Sequence, residues 1–124
     1  NRGGAQVKLA IVGTRHTPDP RLAAAVVEAA IVGFRPEVVI SGGADGIDSL
    51  AAESAVAHGI AFEEYLPRYP RWEPEGYKAR NQRIAQDCDV LVCIRSRTAK
   101  TFGSSWTANE ADRIGRTVYR WEMP

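Results

Sequence analysis

Two short stretches hold the residue types from which a ligand site could be made. Ile40 to Leu50 reads ISGGADGIDSL: a hydrophobic run stops at Ser41, Gly42 and Gly43 follow, and Asp45, Gly46 and Asp48 open a helical pattern. Glycines in such a turn let backbone N–H groups approach a ligand without a Cβ in the way, and the helix that follows adds partial positive charge. The spacing matches neither G-x-G-x-x-G nor a phosphate-binding P-loop, so neither of those assignments applies. The alternative reading is a tight turn with Asp45 as helix N-cap. Asp45 and Asp48, three apart, suit a ribose hydroxyl partner, and they equally suit the dipole of a helix start. The second stretch, IVGTRH from Ile11 to His16, ends an apolar run with Gly13, Thr14 and Arg15. A glycine, a hydroxyl and a cation there could hold a phosphate or a ribose edge; the alternative is a loop with a solvated arginine. His16 is a further candidate contact, and His58 a partner for a helix C-terminus. Neither has a serine or cysteine in triad spacing.

The elements that must position these residues alternate along the chain. Apolar runs at Val7–Val12, Val38–Ile40, Ala61–Leu66, Val90–Ile94 and Thr117–Trp121 read as strands. Helical spacing falls between them, at about Pro20–Val32, from Ile47 to before Gly59, at Tyr77–Gln86 and at about Ser105–Ile114. Asp19-Pro20 is a helix-start signal, an N-cap followed by a first-turn proline. Five strands alternating with four helices predict an α/β domain, a three-layer arrangement with a mainly five-stranded parallel sheet flanked by helices.

At 124 residues the chain is the size of one domain, read as 7–124 after a tail or tag remnant at 1–6 that begins without methionine. Sixteen Lys and Arg against fifteen Asp and Glu give a net charge of +1, without the excess of a general nucleic-acid or membrane binder. No apolar run is long enough to span a bilayer and no signal pattern opens the chain, so a cytoplasmic protein is expected. Cys88 and Cys93 read as reduced thiols in or near the core, with no zinc-ligand spacing around them. No metal and no cofactor are expected.

In an open parallel sheet, ligands bind beyond the carboxyl ends of the strands. The loops that gather there are Gly13–Asp19, Ser41–Gly46, Pro67–Gly76 and Arg95–Ser104. They and the helix start that follows the third carry Arg15, Arg68, Arg71, Lys78, Arg80, Arg83, Arg95, Arg97 and Lys100, and no acid lies between Val90 and Asn109. A nearly neutral chain thus concentrates positive charge on one sheet edge, which suits an anion and above all a phosphate; the alternative is basic decoration of solvated loops. Pro67–Gly76 is long for such a connection and holds three prolines with Tyr69 and Trp72, the composition of a lid or site wall. Trp72 there is a candidate to stack a base or to pack on the domain.

Taken in order, GTR after the first strand, SGGADGID and LAAESAVAHG after the second, then W…G…ARNQRI, CDVLVCI and a late T-x-x-E resemble the SLOG superfamily of Rossmann-like domains. The pattern is closest to its YspA and cpYpsA-related branch, and it is similar to DprA and to the LOG phosphoribohydrolases. The resemblance runs from about Val7 to Val118. It implies a nucleotide or nucleotide-derived ligand at the strand ends, held by Gly13, Thr14, Arg15, Ser41, Gly42, Gly43, Asp45, Gly46, Asp48, Trp72, Arg80, Asn81, Ser104, Ser105 and Thr107. By the LOG pattern, Arg80 and Glu110 are the catalytic candidates, a cation for the phosphate and a carboxylate near the anomeric carbon. Where that pattern has a P-G-G loop, this chain has RSRTAKTFGSSW, with Gly103 alone remaining; Ser104, Ser105 and Lys100 are the candidate replacements. Thr107-x-x-Glu110 also reads as a capping box.

Three functions follow as expectations. The first is a sensor or carrier of a nucleotide-derived small molecule, without a membrane partner and with self-association through helix faces. The second is a nucleoside 5'-monophosphate phosphoribohydrolase. The third is DprA-like single-stranded DNA binding, disfavoured by the small net charge.

Overall fold

The computed structural model describes residues 6–100 and 102–124, so the tail expected at 1–6 lies, Gln6 apart, outside them. The strands are β1 Lys8–Gly13, β2 Val38–Ser41, β3 Ala61–Glu64, β4 Val90–Ser96 and β5 Thr117–Met123. The helices are α1 Pro20–Phe34, α2 Ile47–Ala57, α3 Tyr77–Asp87 and α4 Gly103–Arg113. All strands pair in parallel in the order β3-β2-β1-β4-β5. The chain moves outward from β1 to β3, then returns to the far side of β1 as β4, and the loops after β1 and β4 therefore diverge and open a crevice between them.

Alternation along the central strands splits the core in two. Leu9, Ile11, Val39, Val92 and Ile94 pack with Ala23, Val27 and Ile31 of α1 and Ile47, Ala51 and Ala55 of α2. Ala10, Val12, Ile40, Leu91 and Cys93 face Ile84 and Ala85 of α3 and Ala108 and Ala111 of α4. This is the expected three-layer Rossmann-like α/β arrangement. Both cysteines are free and buried, and burial pushes the Cys88 thiol up to about 11.

The local signals act as anticipated at several ends. Asp19 caps α1 by accepting from the Leu22 N–H at 3.1 Å, with Pro20 in the first turn. His58 is the C-cap of α2, and its Nε2 lies 3.0 Å from Glu28 Oε1 on α1. Two starts differ from expectation. The N-cap of α2 is Gly46, not Asp45, because the chain turns at positive φ (76°) there to bring the helix under the β1 loop. Helix α4 begins at Gly103, two residues before the expected start, so Thr107 lies in its second turn and donates to the Gly103 carbonyl at 2.8 Å. Thr107 and Glu110 therefore do not form a capping box.

Gly46 is where the first and second strand-end loops touch. The Ile47 N–H donates to the Thr14 carbonyl at 3.2 Å. A Cβ on Gly46 would stand 2.3 Å from the Arg15 carbonyl oxygen and 2.4 Å from that of Thr14, neither of which can move without displacing the loop. Gly46→Ala is expected to cost about 2–3 kcal/mol, or roughly 10 °C in Tm, since it combines a clash with left-handed backbone. Gly33→Ala, in α1 where nothing lies within 4 Å of an added Cβ, is expected to be neutral or slightly stabilising. Thermal unfolding of the two variants checks this; an unaltered Tm for Gly46→Ala would contradict the packing.

Candidate functional site

A cleft of about 310 Å³ opens at the crevice between the β1 and β4 loops and is walled by the starts of α2, α3 and α4. Its most constrained member is Arg80, 7% exposed in the first turn of α3. Its Nη1 donates to the Gly42 carbonyl at 2.6 Å and to the Tyr65 carbonyl at 3.2 Å, while its Nε donates to Asn81 Oδ1 at 2.7 Å. One guanidinium thus ties the ends of β2 and β3 to α3. Burial lowers the Arg80 pKa, and the Asp48 carboxylate opposes that shift.

Asp48, in the first turn of α2, is 7% exposed and lines the same cleft. Its Oδ2 accepts from the Ala44 N–H at 3.2 Å, and its Oδ1 is buried without a hydrogen-bond partner. Gly42 lies between the two charged groups. A Cβ there would fall 2.9 Å from Arg80 Nη1 and 3.1 Å from Asp48 Oδ2, so the bare backbone of the SGGADGID turn makes room for an internal arginine and an internal carboxylate.

The helix starts around the cleft differ in what they leave free. At α3 the lid loop folds back, and the Tyr77 and Lys78 N–H groups donate to the Arg71 and Trp72 carbonyls at 2.7 and 3.0 Å. At α4 no side chain among the described residues caps the first turn, and Phe102, Gly103 and Ser104 line the cleft. The uncapped N–H groups of a helix start carry partial positive charge, and Arg15 and Lys100 border the same space. Arg95 Nη1 donates to Ser104 Oγ at 3.0 Å and adds a further cation behind that turn. Trp72 meets Phe102 and Trp106 edge-on at centroid distances of 5.0 and 5.4 Å, and Tyr77, also on the wall, lies under the Arg15 guanidinium, 5.9 Å from its ring.

Of the residues proposed from sequence, Gly13, Arg15, Gly42, Asp48, Trp72, Arg80, Asn81, Ser104 and Thr107 line this cleft. The others stand elsewhere. The Ser41 hydroxyl is buried and donates to the Ile11 carbonyl at 2.6 Å, a tie between strands. Thr14 donates to the His16 carbonyl at 3.1 Å and borders a neighbouring pocket. Gly43, Asp45, Gly46 and Ser105 are not on the cleft wall. Glu110 is not on it either: its two carboxylate oxygens accept from Arg113 at 2.8 and 2.6 Å. Tyr77, a candidate to stack a base with Tyr69 and Trp72, is also on the wall, and Phe102 is a wall residue that the sequence reading did not name. An aromatic within the basic Arg95–Ser104 loop was the available signal for Phe102.

The half-satisfied carboxylate of Asp48 bears on stability. Burial raises the Asp48 pKa from 3.8 to about 6, outweighing the hydrogen bonds it receives and the attraction of Arg80. The folded state therefore holds a proton that the unfolded chain has lost: the stability is fully present below pH 3.8 and is lost as pH rises through about 6. Above that, the buried charge opposes folding by about 3 kcal/mol, taking 1.36 kcal/mol for each unit between 3.8 and about 6. Asp48→Asn is expected to raise Tm at pH 7.5, with the gain shrinking to nothing toward pH 4. Melting curves across that range check it, and a variant less stable than the parent at pH 7.5 would contradict it.

The family model for DNA recombination-mediator protein A matches residues 3–63. No curated protein matches the chain. Among solved structures, DNA processing protein A (DprA) of Streptococcus pneumoniae is similar at 25% identity and a TM-score of 0.72, over 93% of this chain and 50% of that one. DNA processing protein A of Helicobacter pylori, described for its single-stranded DNA binding mode, is similar at 21% identity and a TM-score of 0.66, over 92% of this chain and 64% of that one. The Moco carrier protein of Chlamydomonas reinhardtii shares the fold at 16% identity and a TM-score of 0.70, over 97% of this chain and 79% of that one. The chain spans half the length of the first DprA structure and under two thirds of the second. The matched segment and the structural neighbours support a SLOG/DprA-related fold.

Proposed function

We infer that the cleft binds a nucleotide-derived small molecule, as a sensor or carrier site. The observation that carries this reading is a cleft whose wall includes the half-satisfied carboxyl of Asp48, Arg15, Lys100 and the start of α4, where among the described residues no side chain caps the first turn. Such a cleft complements a ligand with a hydrogen-bond donor at one end and an anion at the other. A nucleotide has both, a phosphate and a set of ribose hydroxyls or base amino groups, and Trp72, Tyr77 and Phe102 offer aromatic surface for its base. The Moco carrier protein supports small-molecule carriage on this fold through its name alone. Hydrolysis is not favoured, because Glu110 is engaged by Arg113 away from the cleft.

Thermal unfolding with the four common nucleoside 5'-monophosphates and their diphosphates tests this reading. A ligand at 100 times its Kd should stabilise by about 2.7 kcal/mol. Asp48→Ala and a double Arg15→Ala, Lys100→Ala variant should each weaken binding at least tenfold, and chromatography should return the ligand intact. The absence of a shift with any nucleotide at millimolar concentration would contradict the reading, and release of free base would restore the hydrolase.

A second reading is single-stranded DNA binding, which the match to DNA recombination-mediator protein A and the two DprA structures support. On the lid loop, the Arg68 and Arg71 guanidiniums lie 5.5 and 4.5 Å from the Tyr69 ring, and Arg83 lies 5.8 Å from that of Tyr65. Cations paired with aromatic rings on an exposed surface suit phosphates and stacked bases. Fluorescence anisotropy with a labelled oligothymidylate checks this: binding that falls steeply with salt and is lost in Arg68→Ala, Arg71→Ala supports it, and no binding at low salt excludes it.

A further inference from the structure

The two edges of the sheet are finished differently. At one, β3 is four residues long and ends in the exposed pair Glu63 and Glu64, a short acidic edge that discourages a further strand. At the other, β5 runs for seven residues in unbroken register with β4, from Thr117 beside Val90 to Met123 beside Ser96. It has no proline and no bulge, and among the described residues no strand pairs with its outer side. Tyr119 and Trp121 stand beside Val92 and Ile94 on the α1 face, yet they are 52% and 53% exposed. Phe34, at the end of α1, tilts against Tyr119 at a centroid distance of 5.5 Å.

The parallel ladder decides which backbone groups of β5 are free. The Thr117 N–H donates to the Asp89 carbonyl at 3.4 Å and the Met123 carbonyl accepts from the Arg97 N–H at 2.8 Å, both on the β4 side. Alternate residues of a strand turn their backbone groups to opposite edges, so those of Val118, Arg120 and Glu122 face outward. An antiparallel strand would bond to these residues, and the side chains select its register. With Trp121 opposite its own copy, Arg120 meets Glu122 of the second copy and Glu122 meets Arg120, while the two indoles meet at a pair without backbone bonds, where side chains approach closest. The neighbouring registers that keep the ladder centre on Arg120 or on Glu122 and set like charges together. On the α4 face Arg120 Nη2 donates to Asn109 and Asp112, which leaves further guanidinium donors for an acceptor across the edge.

We propose that β5 is the docking edge for a second copy of this chain, paired antiparallel about a twofold axis at Trp121. The self-complementary Arg120 and Glu122 specify the partner, and the half-exposed aromatics of each copy cover those of the other. The two sheets become one, with self-association on a strand edge in place of the helix faces expected from sequence. Because the strands of the two copies run in opposite directions, their clefts open at opposite ends of the joined sheet, and the interface does not depend on what either cleft binds.

Sedimentation of the full chain from micromolar to millimolar concentration tests this, and a reversible dimer is expected. Glu122→Arg opposes arginine to arginine, and Arg120→Glu opposes glutamate to glutamate. Each should weaken the dimer at least tenfold with circular dichroism unaltered, and an equimolar mixture of the two should dimerise again, since each copy then meets its opposite charge. Trp121→Lys, which alters neither charge, should also give a monomer; with Glu122→Arg it decides the matter should Arg120→Glu unfold through loss of its bond to Asp112. A chain that is monomeric throughout overturns the proposal and leaves the edge to an extended peptide. A dimer indifferent to Glu122→Arg and Trp121→Lys lies on another face and overturns it too, and two folded variants that stay monomeric when mixed overturn the register. The nucleotide reading stands or falls separately.

Discussion

The guanidinium of Arg80 is the interaction on which the site depends. By donating to the Gly42 and Tyr65 carbonyls and to Asn81, it fixes the ends of β2 and β3 against α3. It is 7% exposed, so each lost bond would leave a charged donor away from water. Its position demands glycine at 42, because any side chain there would enter the space between Arg80 and Asp48. The β1 loop is set in turn by the α2 start through Gly46 and Ile47. The cleft is therefore the gap left among three helix starts whose relative positions are already determined.

What this frame leaves unsatisfied is informative. The protein itself occupies donors at two of the helix starts, the Tyr77 and Lys78 N–H groups of α3 through the loop before it and the Ile47 N–H of α2 through the Thr14 carbonyl. Among the described residues no side chain caps the start of α4, and neither Arg15 nor Lys100 beside it pairs with an acid. Across the cleft, Asp48 keeps one carboxylate oxygen buried and unbonded at a cost to stability above pH 6. A core designed for stability alone would carry an amide or an apolar group there. A half-satisfied carboxyl, a helix start and two cations thus share one small cleft.

Much of the fold was legible because local and long-range preferences agree. Asp19-Pro20 starts α1 where its cap chemistry says, and the apolar runs become strands with ends moved by a few residues. The start of α4 differs from the expected one: Phe102, edge-on against Trp72, is the N-cap, the helix begins at Gly103, and Thr107 lies inside it. Arg80 and Asp48 were visible as residue types at strand ends, but their burial was not, since it arises from β3, α2 and α3 converging. Glu110 matched a motif by spacing. On the actual helix it lies a turn beyond Thr107, about 4.5 Å further from the start, and it bonds to Arg113.

The most direct test of the account is the titration of the Asp48 side-chain carboxyl, followed by carbon-13 NMR with and without the tightest-binding nucleotide. The account predicts a pKa near 6 in the free protein and a fall toward the ordinary carboxylate range when a ligand donor reaches the carboxyl. A carboxyl that titrates near 4 when free, or one whose titration ignores bound nucleotide, would contradict it.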